Sequence, residues 1–141
     1  MAIGSDSHVC RQWHEELRWL EYSQRMHLQQ RNVAAAPGHQ PATAARLLDA
    51  AVHAGAAASG NANWGLQVGA RADALVLDVQ APGLLGVPGS HLLDALVFAT
   101  HPPAIRDVYV AGKHVIRQGQ HPAQGAVAQH FEAAMRELWG T

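Results

Sequence analysis

The chain has 141 residues, of which 48% are hydrophobic and only 6% aromatic, and its formal net charge at neutral pH is −1. This composition excludes an intrinsically disordered chain, and the charge argues against a basic surface for nucleic acid or anionic membranes. A single cysteine, Cys10, excludes an internal disulfide framework, and no apolar run approaches the roughly 20 residues of a membrane span. We therefore expect a soluble, cytoplasmic protein that binds neither nucleic acid nor membrane.

Ten histidines raise the question of a metal-binding protein. None of them forms a His-x-His or a His-Glu-x-x-His motif, and the chain has no Cys-x-x-Cys. They occur singly, at positions 8, 14, 27, 39, 53, 91, 101, 114, 121 and 130. This scattering makes an unrelated histidine-rich metal-binding protein a weak hypothesis and predicts surface or loop positions for all of them except His8.

The first predicted element is a helix over residues 12–30, which contain no Gly or Pro. Glu21 and Arg25 have the i,i+4 spacing of an ion pair. Its apolar residues form two stripes, one of Trp13, Leu17 and Leu20 and one of Trp19, Tyr22 and Met26. The first stripe predicts a core face, and the second predicts a second covered face.

A loop over 33–41 separates this helix from a second one over 42–54, with Thr43 as its expected cap and Gly55 as its expected end. Residues 66–79 are expected to form two short strands with a bend at Gly69. A short helix follows over 92–98, then a hairpin over 107–117 that turns at Ala111-Gly112. The last predicted element is an amphipathic helix over 124–139.

Three segments together resemble one family of enzymes. IGSDSHV, followed by WHEELRWLEYSQRMHLQQRNV, resembles the last barrel strand and following helix of formimidoylglutamate deiminases, which belong to the amidohydrolase superfamily. GLQVGARADALVLD resembles the superfamily's return to its small β domain, and DVYVAGKHVIRQGQH resembles the closing hairpin of that domain. The matches follow the family's order and cover nearly the whole chain.

The resemblance implies an α/β fold class and a fragment. The family's fold is a (β/α)8 barrel with a flanking β domain, whose active site lies at the carboxyl ends of the strands. On this reading, residues 1–63 are the C-terminal end of the barrel, and residues 64–141 are part of the small composite β domain with a terminal helix. Seven strands and their helices would be missing before Asp6, and the helix over 12–30 would expose the face meant for the barrel.

The resemblance also implies a site. Asp6 matches the aspartate that ends the eighth strand, which ligates zinc and accepts a proton from the metal-bound water. The parent enzyme would hydrolyse N-formimidoyl-L-glutamate to N-formyl-L-glutamate and ammonia, in histidine degradation. The His-x-His pair and the other metal ligands of the family are absent, so the chain is expected to be inactive alone.

Alternatives remain open for each of these residues. Without the resemblance, Asp6 reads as a helix cap or a turn residue, because Ser-Asp-Ser is a common loop tripeptide. His8 either orients Asp6, faces the substrate or lies on the surface, and Cys10 is expected to be inert. A different hypothesis is that the chain is a non-catalytic binding or assembly module. Such a module would either form a homo-oligomer or complete another amidohydrolase chain, through the apolar surfaces of the helix over 12–30.

Overall fold

The structure, a computed structural model, describes residues 1–7, 9–61, 63–100 and 104–140. The helices are α1 (Trp13–Leu28), α2 (Thr43–Ala58), α3 (Leu92–Phe98) and α4 (Gln124–Trp139), with a short 3-10 turn at Gly89–His91. The strands are β1 (Ala74–Leu77), β2 (Ile105–Val110) and β3 (Lys113–Ile116). The fold is therefore a mixture of helices and a small antiparallel sheet. Assignment of its parts to a barrel and a flanking domain stays a prediction.

The chain divides into two units, and each is built from two stretches of sequence. The helical unit consists of Met1–Ala70 and Asp78–Ala104 and contains α1, α2 and α3. The sheet unit consists of Arg71–Leu77 and Ile105–Thr141 and contains the three strands and α4. The chain thus enters the sheet unit at β1, returns to the helical unit for α3, and then comes back for β2.

The helical unit has a small apolar core where α1, α2 and α3 meet. Its buried members come from all three helices: Leu17, Ala44, Leu47, Ala51 and Val97. Trp13 and Leu20 pack against this core, so the apolar face predicted for the first helix is confirmed. The second stripe behaves differently, since Trp19 is 63% exposed and Met26 is 81% exposed.

The start of α2 is capped from a distance. The Asp94 carboxylate in α3 accepts a hydrogen bond from the Ala44 backbone N–H, at 2.8 Å. The prediction that Thr43 caps this helix is wrong, because Thr43 is the first helical residue and the Ncap residue is Ala42, which makes no side-chain cap bond. The predicted stop at Gly55 is also wrong, since α2 continues to Ala58. Alanines on both sides of Gly55 favour helix strongly enough to carry the helix through it.

Two charged side chains of α1 hold neighbouring segments. Arg18 donates from Nε to the Val97 carbonyl at 2.8 Å and from Nη2 to the Thr100 carbonyl at 3.1 Å, which satisfies carbonyls at the end of α3. Glu21 is buried and accepts from Arg25 Nε at 2.7 Å, so the predicted ion pair is confirmed. The same carboxylate also accepts the backbone N–H groups of residues 33 and 34, both at 2.9 Å, and so fixes the loop after α1.

In the sheet unit, β2 lies between β1 and β3, and both pairings are antiparallel. The predicted hairpin is confirmed, with Ala111 (φ 49°) and Gly112 (φ 75°) at its turn. Positive φ at both central residues is what a type I′ hairpin turn requires. Two hydrogen bonds that the turn donates to the segment before β1 hold it in place. The Gly112 N–H donates to the Ala72 carbonyl and the Ala111 N–H donates to Asp73 Oδ1, both at 2.7 Å.

Two predicted strands are not strands in the structure. Of the two short strands expected over 66–79, only β1 forms, because Gly65 and Gly69 both have positive φ and residues 66–70 make turns. Residues 1–7 and 9–11 contain no strand either. A parallel barrel strand needs neighbouring strands to satisfy its backbone groups, and the described sheet, β1 to β3, is antiparallel and lies in the other unit.

The terminal helix forms as predicted, from Gln124 to Trp139. No residue of α4 is buried. In the parts of the chain that the structure describes, no helix is both long enough and apolar enough to cross a membrane.

Candidate functional site

Asp6 lies in an exposed turn ahead of α1. Its φ is +39°, in the left-handed region that aspartate tolerates better than most residues because its short side chain bonds locally. Ser5 before it is half-buried, and Ser7 after it is exposed. The carboxylate is therefore open to solvent or to another part of a larger site. His8, which the sequence offered as an orienting or substrate-facing residue, lies outside the described residues.

An open groove runs from this segment along the first turns of α1. Its lining combines polar and apolar side chains: Ser7, Val9, Cys10, Glu15, Glu16, Trp19, Leu20 and Ser23. Cys10 is exposed and has no disulfide partner. The groove borders the predicted site residue but is shallow, so by itself it does not enclose a small substrate.

The donor set around Asp6 does not make a metal site. Among the described residues, no three His, Cys, Asp or Glu side chains lie close enough together to hold a metal ion. A catalytic zinc takes about three protein ligands and keeps one position for water. The residues of this chain that the structure describes therefore do not fit zinc without ligands from elsewhere. The predicted role of Asp6 as a metal ligand stays a prediction.

A second cluster of polar groups lies in the sheet unit, around the buried carboxylate of Asp107. It accepts from Arg106 Nε at 2.7 Å, from the Gln118 backbone N–H at 3.1 Å and from His114 Nε2 at 3.0 Å. The Arg106 bond, the Gln118 bond and the His114 bond together lower the pKa of Asp107 from 3.8 to about 2, against the opposing effect of burial. The His114 ring also stacks on Tyr109, with the ring centroids 4.4 Å apart.

This Asp107 cluster was missed by the sequence reasoning, although the predicted turn at Ala111-Gly112 carries a signal for it. That turn pairs His114 with Tyr109, and Asp107 lies two residues before Tyr109 on the same face of β2. His114 and Asp107 are therefore diagonal neighbours across the hairpin, within reach of each other's side chains. The carboxylate is bonded to two side chains and one backbone N–H, so its role here is to fix the hairpin and the segment that follows it.

Comparisons with known proteins give one consistent relationship. No protein-family model matches the chain. A formimidoylglutamate deiminase from Pseudomonas aeruginosa is 44% identical over 138 residues, which cover 98% of this chain and 30% of that protein. Among solved structures, an amidohydrolase from Brucella melitensis superimposes with a TM-score of 0.86 and 38% identity, again over 98% of this chain and 30% of its own.

The chain thus spans about 30% of the length of each of these relatives. The resemblance inferred from the residues is confirmed, since one relative is a formimidoylglutamate deiminase and the similar solved structure is an amidohydrolase. Over nearly its whole length, this chain is similar to a portion of formimidoylglutamate deiminase and has the fold of the corresponding portion of an amidohydrolase.

Proposed function

We propose that this chain forms the C-terminal part of a metal-dependent amidohydrolase that hydrolyses N-formimidoyl-L-glutamate to N-formyl-L-glutamate and ammonia. The observation that carries the proposal is the 44% identity to a formimidoylglutamate deiminase over 98% of the chain. Because the chain spans 30% of that relative, the remaining active-site groups belong to the other 70% of such an enzyme. The proposed compartment is the cytoplasm, and the proposed cofactor is zinc, held mainly by residues outside this chain.

Within the complete enzyme, Asp6 supplies a carboxylate to the reaction. In the overall chemistry, a water oxygen bonds to the formimidoyl carbon, and the bond from that carbon to the terminal nitrogen breaks. The Asp6 carboxylate accepts a proton from the water and returns it to the departing nitrogen, which leaves as ammonia. An exposed carboxylate in a turn with small serine neighbours supports this role, because it leaves room for a substrate to approach.

The test uses a chimaera in which this chain replaces the matching segment of the Pseudomonas aeruginosa deiminase. The purified chain alone, supplied with zinc, is expected to release no ammonia from N-formimidoyl-L-glutamate, whereas the chimaera is expected to release it. In the chimaera, Asp6→Asn is expected to lower kcat by about 10²- to 10⁴-fold, the usual contribution of a general acid–base group.

The matched control is Asp49→Asn, since Asp49 is an exposed carboxylate in α2 far along the chain from Asp6. This control is expected to keep the activity of the chimaera. Ammonia release by the chain alone that disappears in Asp6→Ala would contradict the proposed incompleteness. Full activity of the Asp6→Asn chimaera would contradict the assignment of Asp6.

A second candidate is a non-catalytic module that completes another amidohydrolase chain or pairs with a copy of itself. The exposed stripe on α1 favours it, because Trp19 and Met26 leave large apolar areas uncovered. Co-purification of the chain with a longer amidohydrolase, without any change in ammonia release, would support this candidate. A monodisperse monomer that captures no such chain would count against it.

A further inference from the structure

We draw no further inference here: the strongest candidate, the open groove along the first turns of α1 with the exposed thiol of Cys10 in its lining, borders the Asp6 turn and so belongs to the site already described, and nothing among the described residues shows what would cover it.

Discussion

At the scale of single residues, two buried carboxylates each hold one segment that has no regular structure. Glu21 accepts from one guanidinium and two backbone N–H groups, and Asp107 accepts from a guanidinium, an imidazole and one backbone N–H. Buried charges are tolerated when they are bonded in this way and are costly when a partner is removed. Each carboxylate therefore fixes a loop that its sequence alone would leave open.

The bonded state of Asp107 predicts a pH dependence. Its pKa is lowered from 3.8 to about 2 in the folded chain. A carboxyl whose pKa is lower when folded adds stability above its unfolded pKa and loses it as the pH falls through the folded value. We expect the sheet unit to lose stability between pH about 4 and about 2, measured as hydrogen exchange of the β2 and β3 amides.

Asp107→Asn is expected to weaken the sheet unit at neutral pH and to flatten the loss between pH 4 and 2, since residue 107 then no longer titrates. Asp49→Asn, in the other unit, serves as the control and is expected to leave the pH profile of the β2 and β3 amides unchanged. An Asp107→Asn profile that is as steep as that of the unmodified chain would contradict this assignment.

Substitution of Gly83 is expected to lower stability through a steric clash, because the position leaves no room for a side chain. A Cβ at Gly83 would lie 2.5 Å from Cγ2 of Thr100 and 3.3 Å from its Cα. Thr100 is buried and its hydroxyl donates to the Leu96 carbonyl at 2.6 Å, so the methyl group cannot swing away freely. Gly83→Ala is expected to lower the free energy of unfolding by about 1–3 kcal/mol in urea denaturation.

The partner substitution Thr100→Ser provides the rescue. Serine keeps the hydroxyl that bonds Leu96 and lacks the methyl group that collides with the new Cβ. The double variant Gly83→Ala, Thr100→Ser is therefore expected to recover a large part of the stability that Gly83→Ala loses relative to the Thr100→Ser background. Strict additivity of the two substitutions would show that the collision is not the cause.

At the scale of elements, the helices of the helical unit stabilise one another's ends. Asp94 of α3 caps α2, and Arg18 of α1 satisfies carbonyls at the end of α3. Both contacts join positions that are far apart in sequence, by 50 residues for Asp94 and Ala44. Formation of each helix end is thus linked to the packing of the three helices.

Asp94 gives the clearest test of this linkage. Asp94→Ala is expected to lower the free energy of unfolding by about 1 kcal/mol, because the Ala44 N–H loses its acceptor. Asp94→Asn keeps a side-chain oxygen and is expected to cost less than half as much. Urea denaturation followed by circular dichroism measures both variants, and equal losses for the two would contradict a capping role.

These elements also show what the sequence predicts and where it fails. The stripe of Trp13, Leu17 and Leu20 predicts α1 correctly, and the alternation around Ala111-Gly112 predicts the hairpin, since both signals are local. The cap of α2 was misassigned to Thr43 because its true acceptor, Asp94, is distant in sequence. The expected strand before residue 74 fails because the glycines that bound it adopt positive φ.

The candidate site is less predictable for a physical reason. Asp6 was identified only through the resemblance of the segments around it, since Ser-Asp-Ser alone is typical of a turn, and a turn is what forms there. A metal site is defined by several donors that converge in space. The described part of this chain offers no such convergence, so residue patterns in it cannot specify a ligand set.

At the scale of the whole molecule, one helix carries both buried and exposed apolar residues, on different sides. Leu17 is fully buried in the core of the helical unit, whereas Trp19, two residues later, is 63% exposed. An exposed side chain of this size contributes little to the stability of its own unit and favours association. Substitutions at the two positions therefore test the stability of the fold and the association of the chain separately.

Leu17→Ala is expected to lower the free energy of unfolding by about 2–5 kcal/mol, through lost contacts and the cavity left behind. Trp19→Gln is expected to change it by less than about 0.5 kcal/mol and to reduce self-association of the isolated chain. Urea denaturation and light scattering measure the two effects. A loss of stability in Trp19→Gln comparable with that in Leu17→Ala would show that Trp19 belongs to the core.

The backbone enters the sheet unit twice, at residue 71 and again at residue 105. This has a practical consequence for experiments that separate the two units. A stretch that includes α3 separates β1 from β2, so no single cleavage point releases either unit intact. A protease cut between Asp78 and Ala104 would break the connection between β1 and β2 and leave all three strands intact. Limited digestion is therefore a poor guide to independent folding here, and a deletion variant in which a short turn joins Leu77 to Ile105 is a better one.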